Sequence, residues 1–233
     1  MPNIQKQRGF TLVEIAIVLV IIGLLLGGIL KGQELITSAR VRNIADQNSG
    51  VQAAYYGFID RYRQVPGDWN ATNAAQAIPD VNTGGDDSGR LDGTNAWVEA
   101  LALWEQLSKS GFIQGSYPGG TAQPTSASNS APRNAFNGYL FLFRTADYDD
   151  PGTAVDRLNV VLGAGIPVNV LRELDPKVVD GLPESGVLRH AVDSGVTFST
   201  LAEFNAGCVD DSGATTIWDI AGNEQLCNAV YLY

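Results

Sequence analysis

Residues 10–30 contain a single charged side chain, Glu14, in an otherwise apolar run. As a helix this run reaches about 30 Å, roughly the thickness of a bilayer's hydrocarbon core. Lys6 and Arg8 precede it. The positive-inside rule therefore keeps the short N-terminus in the cytoplasm and sends everything after residue 30 outward. A secretory signal peptide shares the basic head and apolar stretch, and Thr37-Ser38-Ala39 offers a small-residue cleavage site, which would leave a chain beginning at Arg40. Against that reading stand the length of the run and a carboxylate where an h-region is apolar. A carboxylate inside a membrane helix costs on the order of 3 kcal/mol, and such residues are usually paired or functional. No Lys, Arg or His lies within 10–30, so a cationic side chain for Glu14 is not supplied by the run itself.

Between the basic head and the run stand Gly9-Phe10-Thr11-Leu12-Val13-Glu14. This order of glycine, aromatic, Thr-Leu and glutamate resembles the processing site of type IV prepilins and of the pseudopilins of type II secretion. The resemblance implies that a prepilin peptidase cuts after Gly9 on the cytoplasmic face and methylates the new amine of Phe10. It also implies that Glu14 pairs with the Phe10 amine of a neighbouring subunit as a filament grows. Implied partners are further copies of the chain, the peptidase, an assembly ATPase and platform proteins of the inner membrane. The precursor would wait in that membrane before moving to a pilus at the cell surface or to a periplasmic pseudopilus. Lys31 falls where many type IVa major pilins have proline. Gly23, Gly27, Gly28 and Gly32 are its expected replacement, either as a segment that stretches or melts locally or as a surface for close helix packing.

The apolar periodicity continues beyond the run. Val41, Ile44, Val51, Tyr55, Phe58 and Tyr62 follow a 3-4 spacing interrupted by Asn48, which predicts one amphipathic continuation of the same helix. Val65-Pro66-Gly67-Asp68 should end it, because proline disfavours helix at the residue before it. The expected rod is roughly 80 Å long. Thr94 reads as the N-cap of a second helix running to Ser110, with Gly111 as its stop and Trp97, Leu101, Trp104 and Leu107 on its core face. Residues 115–134 form a Pro/Gly/Ser-rich loop.

Short strands are expected in "GYLFLF" from Gly138, "DRLNVVL" from Asp156, "GVTFSTL" from Gly195, "TTIWDI" from Thr215 and "NAVYLY" from Asn228. The predicted class is α+β: a long N-terminal helix, its apolar half protruding and its amphipathic half packed on an antiparallel sheet with one face in water. The corresponding divisions are a leader at 1–9, a membrane or filament-core helix at 10–30, its continuation at 31–65 and a head at 66–233. Val65-Pro66-Gly67-Asp68, "WEQLSKSGFIQGSY" from Trp104 and "LDPKVVDGLPESGVLR" from Leu174 also resemble segments of large pilin-like proteins.

Cys208 and Cys227 are the only cysteines, and an exported segment should pair them, the alternative being two buried thiols. Such a bridge resembles the disulfide-bounded C-terminal region of many pilins. His190 is the sole histidine and sits beside Arg189 with no nucleophile elbow, so it reads as a surface or turn residue and no catalysis is expected. Asp80, Asn82, Asp86, Asp87 and Asp92 place oxygen ligands in a Gly-rich loop that suits calcium, but their spacing completes no EF-hand, and a solvated acidic loop without a cofactor is the default. The net charge of -10 disfavours direct nucleic-acid contact, which needs clustered Lys and Arg. Three functions fit: a pilus subunit, a type II secretion pseudopilin, or an anchored or secreted binding module.

Overall fold

The computed structural model describes residues 12–92, 96–125, 128–146, 148, 155–178, 180–190 and 206–233. The first helix, α1, runs Leu12–Tyr62. The chain divides into two compact units, Met1–Ala39 and Arg40–Tyr233. In the first unit the apolar window of α1 is long and apolar enough to cross a membrane, and none of it is buried within the chain. In the second, Val41, Ile44, Asn48, Val51, Tyr55 and Phe58 of α1 are buried, as the 3-4 spacing requires. Asn48 is tolerated there because its amide donates to the Tyr233 hydroxyl.

Helix α1 stops at Arg63, whose φ of 57° leaves the helical region. Gly67 follows with φ 90°, and a Cβ there would lie 2.5 Å from the Glu99 carbonyl oxygen, so only glycine lets the turn close. The buried Gln106 holds this turn: its Oε1 accepts from Gly67 N at 2.9 Å and its Nε2 donates to the Trp69 carbonyl at 2.9 Å. A short helix, α2, spans Ala71–Ala77 and is capped by the Asn70 side chain accepting from Thr72 N. Helix α3 spans Ala96–Lys109, and Trp97, Leu101, Trp104 and Leu107 all face the core. Gly111, at φ 83°, ends it, with Phe112 N returning to the Leu107 carbonyl at 3.0 Å. The expected cap at Thr94 lies outside the described residues.

Strands β1 (Phe141–Thr145) and β2 (Arg157–Val161) are followed by helix α4 (Val168–Val178) and strand β3 (Leu188–His190). A single-turn helix at Ala206–Cys208 then leads into β4 (Val209–Asp210), β5 (Ile217–Trp218) and β6 (Ala229–Leu232). The main sheet has the order β1-β2-β6-β3 and its pairs are antiparallel, with Val160 opposite Tyr231 and Leu188 opposite the same residue on the other side. Strands β4 and β5 form a separate two-stranded sheet.

The α+β layout is as expected, with one difference. Four successive residues of β2 and all four of β6 are buried. Successive side chains on a strand point to opposite faces, so the centre of this sheet is covered on both sides rather than wet on one. Strands β3 and β4 and helices α2 and α4 were not expected from the sequence, and the strand expected at 195–201 lies outside the described residues.

Candidate functional site

Glu14 sits in the first turn of α1. A carboxylate there is favoured by the partial positive charge of the helix N-terminus, which offsets part of the cost of placing it in apolar surroundings. Its apolar neighbours Leu12, Val13, Ile15, Ile17 and Val18 are exposed in the single chain, so this turn places one carboxylate among exposed aliphatic side chains. Lys31, the next cation along the helix, pairs with Glu34 at 2.6 Å. About 25 Å of helix separates it from Glu14, beyond the reach of any side chain. Gly9 and Phe10 lie outside the described residues.

Residues 4–30 match the family model of the prokaryotic N-terminal methylation motif. The chain carries the type IV pilin and pseudopilin signature. That signature fits a membrane-anchored precursor and points to a structural subunit rather than an enzyme. The match covers the prepilin segment alone, and no curated protein and no solved structure matches the chain. The head's own sites therefore rest on its geometry.

The Cys208–Cys227 disulfide is formed, and both cysteines are fully buried. Cys227 also forms a two-way backbone bridge to Ile166, at 2.9 and 3.0 Å, while the Cys208 carbonyl accepts from Asp219 N at 3.0 Å. The bridged segment is thus tied to the region before α4 as well as to itself.

The acidic loop is divided by the fold. Asp87 accepts from Asn70 N at 2.7 Å and so helps to start α2. Asn82 donates to the Asp80 carbonyl, and its backbone N–H goes to the buried Glu105 of α3. Asp92 meets Arg90 at 4.0 Å. Of the candidates read from the sequence, Asp86 alone joins a carboxylate group, and its companions are Asp68 and Glu99, with ligand atoms within 4.8 Å of one another. Such a trio has the donor chemistry for a hard divalent cation. The two companions escaped the sequence reading because one belongs to the turn after α1 and the other to α3; the Pro66-Gly67 turn and the packing of Gly85, Ser88 and Gly89 on Asp68 bring them together.

Asp68 is nearly fully buried. Burial pushes its carboxyl above the ordinary value, against the amides of Gly89 and Ser88 and the Ser88 hydroxyl, while a hydrogen bond with Asp86 adds to the rise. A carboxyl raised in the folded state contributes stability that is complete below its unfolded value and is lost as pH climbs through the folded one. Asp86→Asn removes the neighbour that competes for charge. The Asp68 carboxyl is then expected to titrate at lower pH, read from its side-chain carbon resonance; an unchanged or higher midpoint would disprove the coupling.

His190 is not the surface or turn residue expected from the sequence. It lies in β3 and is 3 % exposed, with its ring edge-on to Trp218 at 6.0 Å.

Proposed function

We propose that the chain is a pilin, major or minor, of a type IV pilus or related filament. The reading rests on one observation: the methylation-motif helix bears a single carboxylate among exposed apolar side chains, one turn from the site where cleavage after Gly9 would create an amine. The precursor waits as a single-pass protein in the inner membrane, with its head outside the cytoplasm. Prepilin peptidase removes residues 1–9 and methylates Phe10. An assembly ATPase and platform proteins then draw the subunit into a helical bundle. There the apolar windows cover one another and each Glu14 meets the Phe10 amine of a neighbour.

Transfer from lipid to bundle exchanges apolar contact for apolar contact, so packing and the charge pair supply the specificity. A type II secretion pseudopilin would use the same N-terminal chemistry. Mass spectrometry of sheared surface material and of the remaining envelope decides between them. The pilus reading expects the peptide beginning at N-methylated Phe10 in the sheared fibres. Its confinement to the envelope would favour the pseudopilin or a scarce minor pilin over a major one, and a mature N-terminus at Arg40 or an intact Met1 would exclude all of these.

A further inference from the structure

Trp218 of β5 lies in the segment closed by the disulfide, and it touches two buried titratable side chains from different elements. From α4, the Asp175 carboxylate accepts its indole Nε1–H at 2.8 Å. From β3, the His190 ring packs against its indole with the two planes near perpendicular. Trp218, Asp175 and His190 are 2 %, 0 % and 3 % exposed. A carboxyl and an imidazole taken out of water both favour their neutral forms, but pH drives them to charge in opposite directions.

We propose that these three residues form a pH-compensated latch on the disulfide-bounded segment: a buried acid and a buried base seat the same tryptophan, so that a pH change that undocks it through one is offset through the other. Burial pushes the Asp175 carboxyl from 3.8 up to about 6, against the Trp218 N–H and the Gly181 amide, with the charge of Asp180 adding to the rise. Docking stability from Asp175 is therefore complete below 3.8 and lost as pH rises through about 6. Burial pushes His190 from 6.5 down to about 4. Its contribution is complete above 6.5 and lost as pH falls through about 4. Each group alone would shift the opening equilibrium by roughly a hundredfold or more, at tenfold per pH unit of displacement. Together they leave a profile that varies by less than about tenfold from pH 4 to 8.

Among the described residues, the surrounding charges do not supply this compensation. Asp180 is held below its ordinary value by hydrogen bonds from Ser185 and Leu182 and by the charge of Arg189, so it stays ionised and adds a constant field. Tyr231 of β6 is pushed far up by burial and by Asp175, and stays neutral. On α4 itself, Lys177 and Glu173 pair at 2.6 Å. Glu184 accepts from the Thr216 hydroxyl at 2.7 Å, and Asp219 accepts from the amides of Ala221 and Gly222. An exported segment meets whatever pH its surroundings have, and this arrangement keeps its docked face independent of it.

The test is hydrogen exchange of the full chain in detergent micelles from pH 4 to 8, following peptides across 209–218 and correcting for intrinsic exchange, with β2 and β6 peptides as the internal reference. Wild-type opening is expected to stay nearly flat. Asp175→Asn leaves the histidine unopposed, so opening rises about a hundredfold toward acid. His190→Gln leaves the acid unopposed, so opening rises by a similar factor toward neutral pH. The double variant is flat again. A steep wild-type profile, or single variants with parallel slopes, would overturn the proposal. If Asp175→Asn does not fold, the wild-type and His190→Gln profiles decide.

Discussion

Glu14→Ala is expected to abolish fibres while leaving cleavage after Gly9 and insertion in the membrane intact. Removing one partner of a buried ion pair leaves the other charge uncompensated, at a cost of about 3–5 kcal/mol. At each subunit addition that weakens docking by roughly a hundredfold to several thousandfold. Because a fibre repeats the loss at every step, growth stops rather than slows. Glu14→Gln keeps the shape and a hydrogen bond but not the charge, and should fail as well.

A plain membrane anchor makes the opposite prediction. For an anchor, Glu14 is only a burden of on the order of 3 kcal/mol, and alanine would leave the protein unharmed or better inserted. Sheared-fibre yield, measured beside the processed and unprocessed forms in the membrane, separates the two outcomes. Normal fibres from Glu14→Ala would refute the assembly contact, and unprocessed protein would mean that the substitution had blocked the peptidase instead.

What the sequence disclosed and what it hid divide along chain distance. The continuous helix was legible because its periods repeat locally: Val41, Ile44, Val51, Tyr55 and Phe58 are spaced for one face, and all are buried. The same holds for Trp97, Leu101, Trp104 and Leu107 on α3, and for the glycine that ends it. Helix α4 was hidden because Pro176 reads as a breaker, although Val168, Val170, Leu171 and Leu174 are all buried. That proline is tolerated in the last turn. Strand β3 is three residues long and owes its existence to the edge of β6, which follows it by about forty positions.

The buried polar groups follow the same logic. His190 looked like a surface residue because Arg189 is its neighbour in sequence, whereas strand alternation sends the two side chains to opposite faces. The Asp68, Asp86 and Glu99 trio and the Trp218 latch each join elements that no local pattern connects. The methylation motif within residues 4–30 was legible for a different reason. Its residues stand in order along the chain, with the basic Lys6 and Arg8, then Gly9, an aromatic residue and a lone carboxylate in an apolar run.

Replacing both Cys208 and Cys227 with alanine is expected to lower stability by about 3 kcal/mol, since the bridge spans a sequence separation of 19 residues and a loop of that size removes about this much freedom from the unfolded chain. The denaturation slope should increase as well, because the unbridged unfolded chain exposes more surface. The damage should centre on the bridged segment. Strands β2 and β6 keep their pairing without the cystine, but β4 and β5 are joined by two register pairs only, too few to persist unaided. The contacts that remain to seat them include Trp218 on Asp175 and His190, Thr216 on Glu184, and the Cys227 backbone bridge to Ile166.

Denaturant unfolding of the full chain in micelles, with exchange at 209–218 and at 229–232 followed separately, reads both parts of this expectation. Early opening of 209–218 with an unaltered 229–232 is the expected pattern. Loss of both together would mean that the cystine supports the whole sheet. An unchanged midpoint would mean that the tryptophan latch and the backbone bridge already carry the constraint that the disulfide was thought to supply.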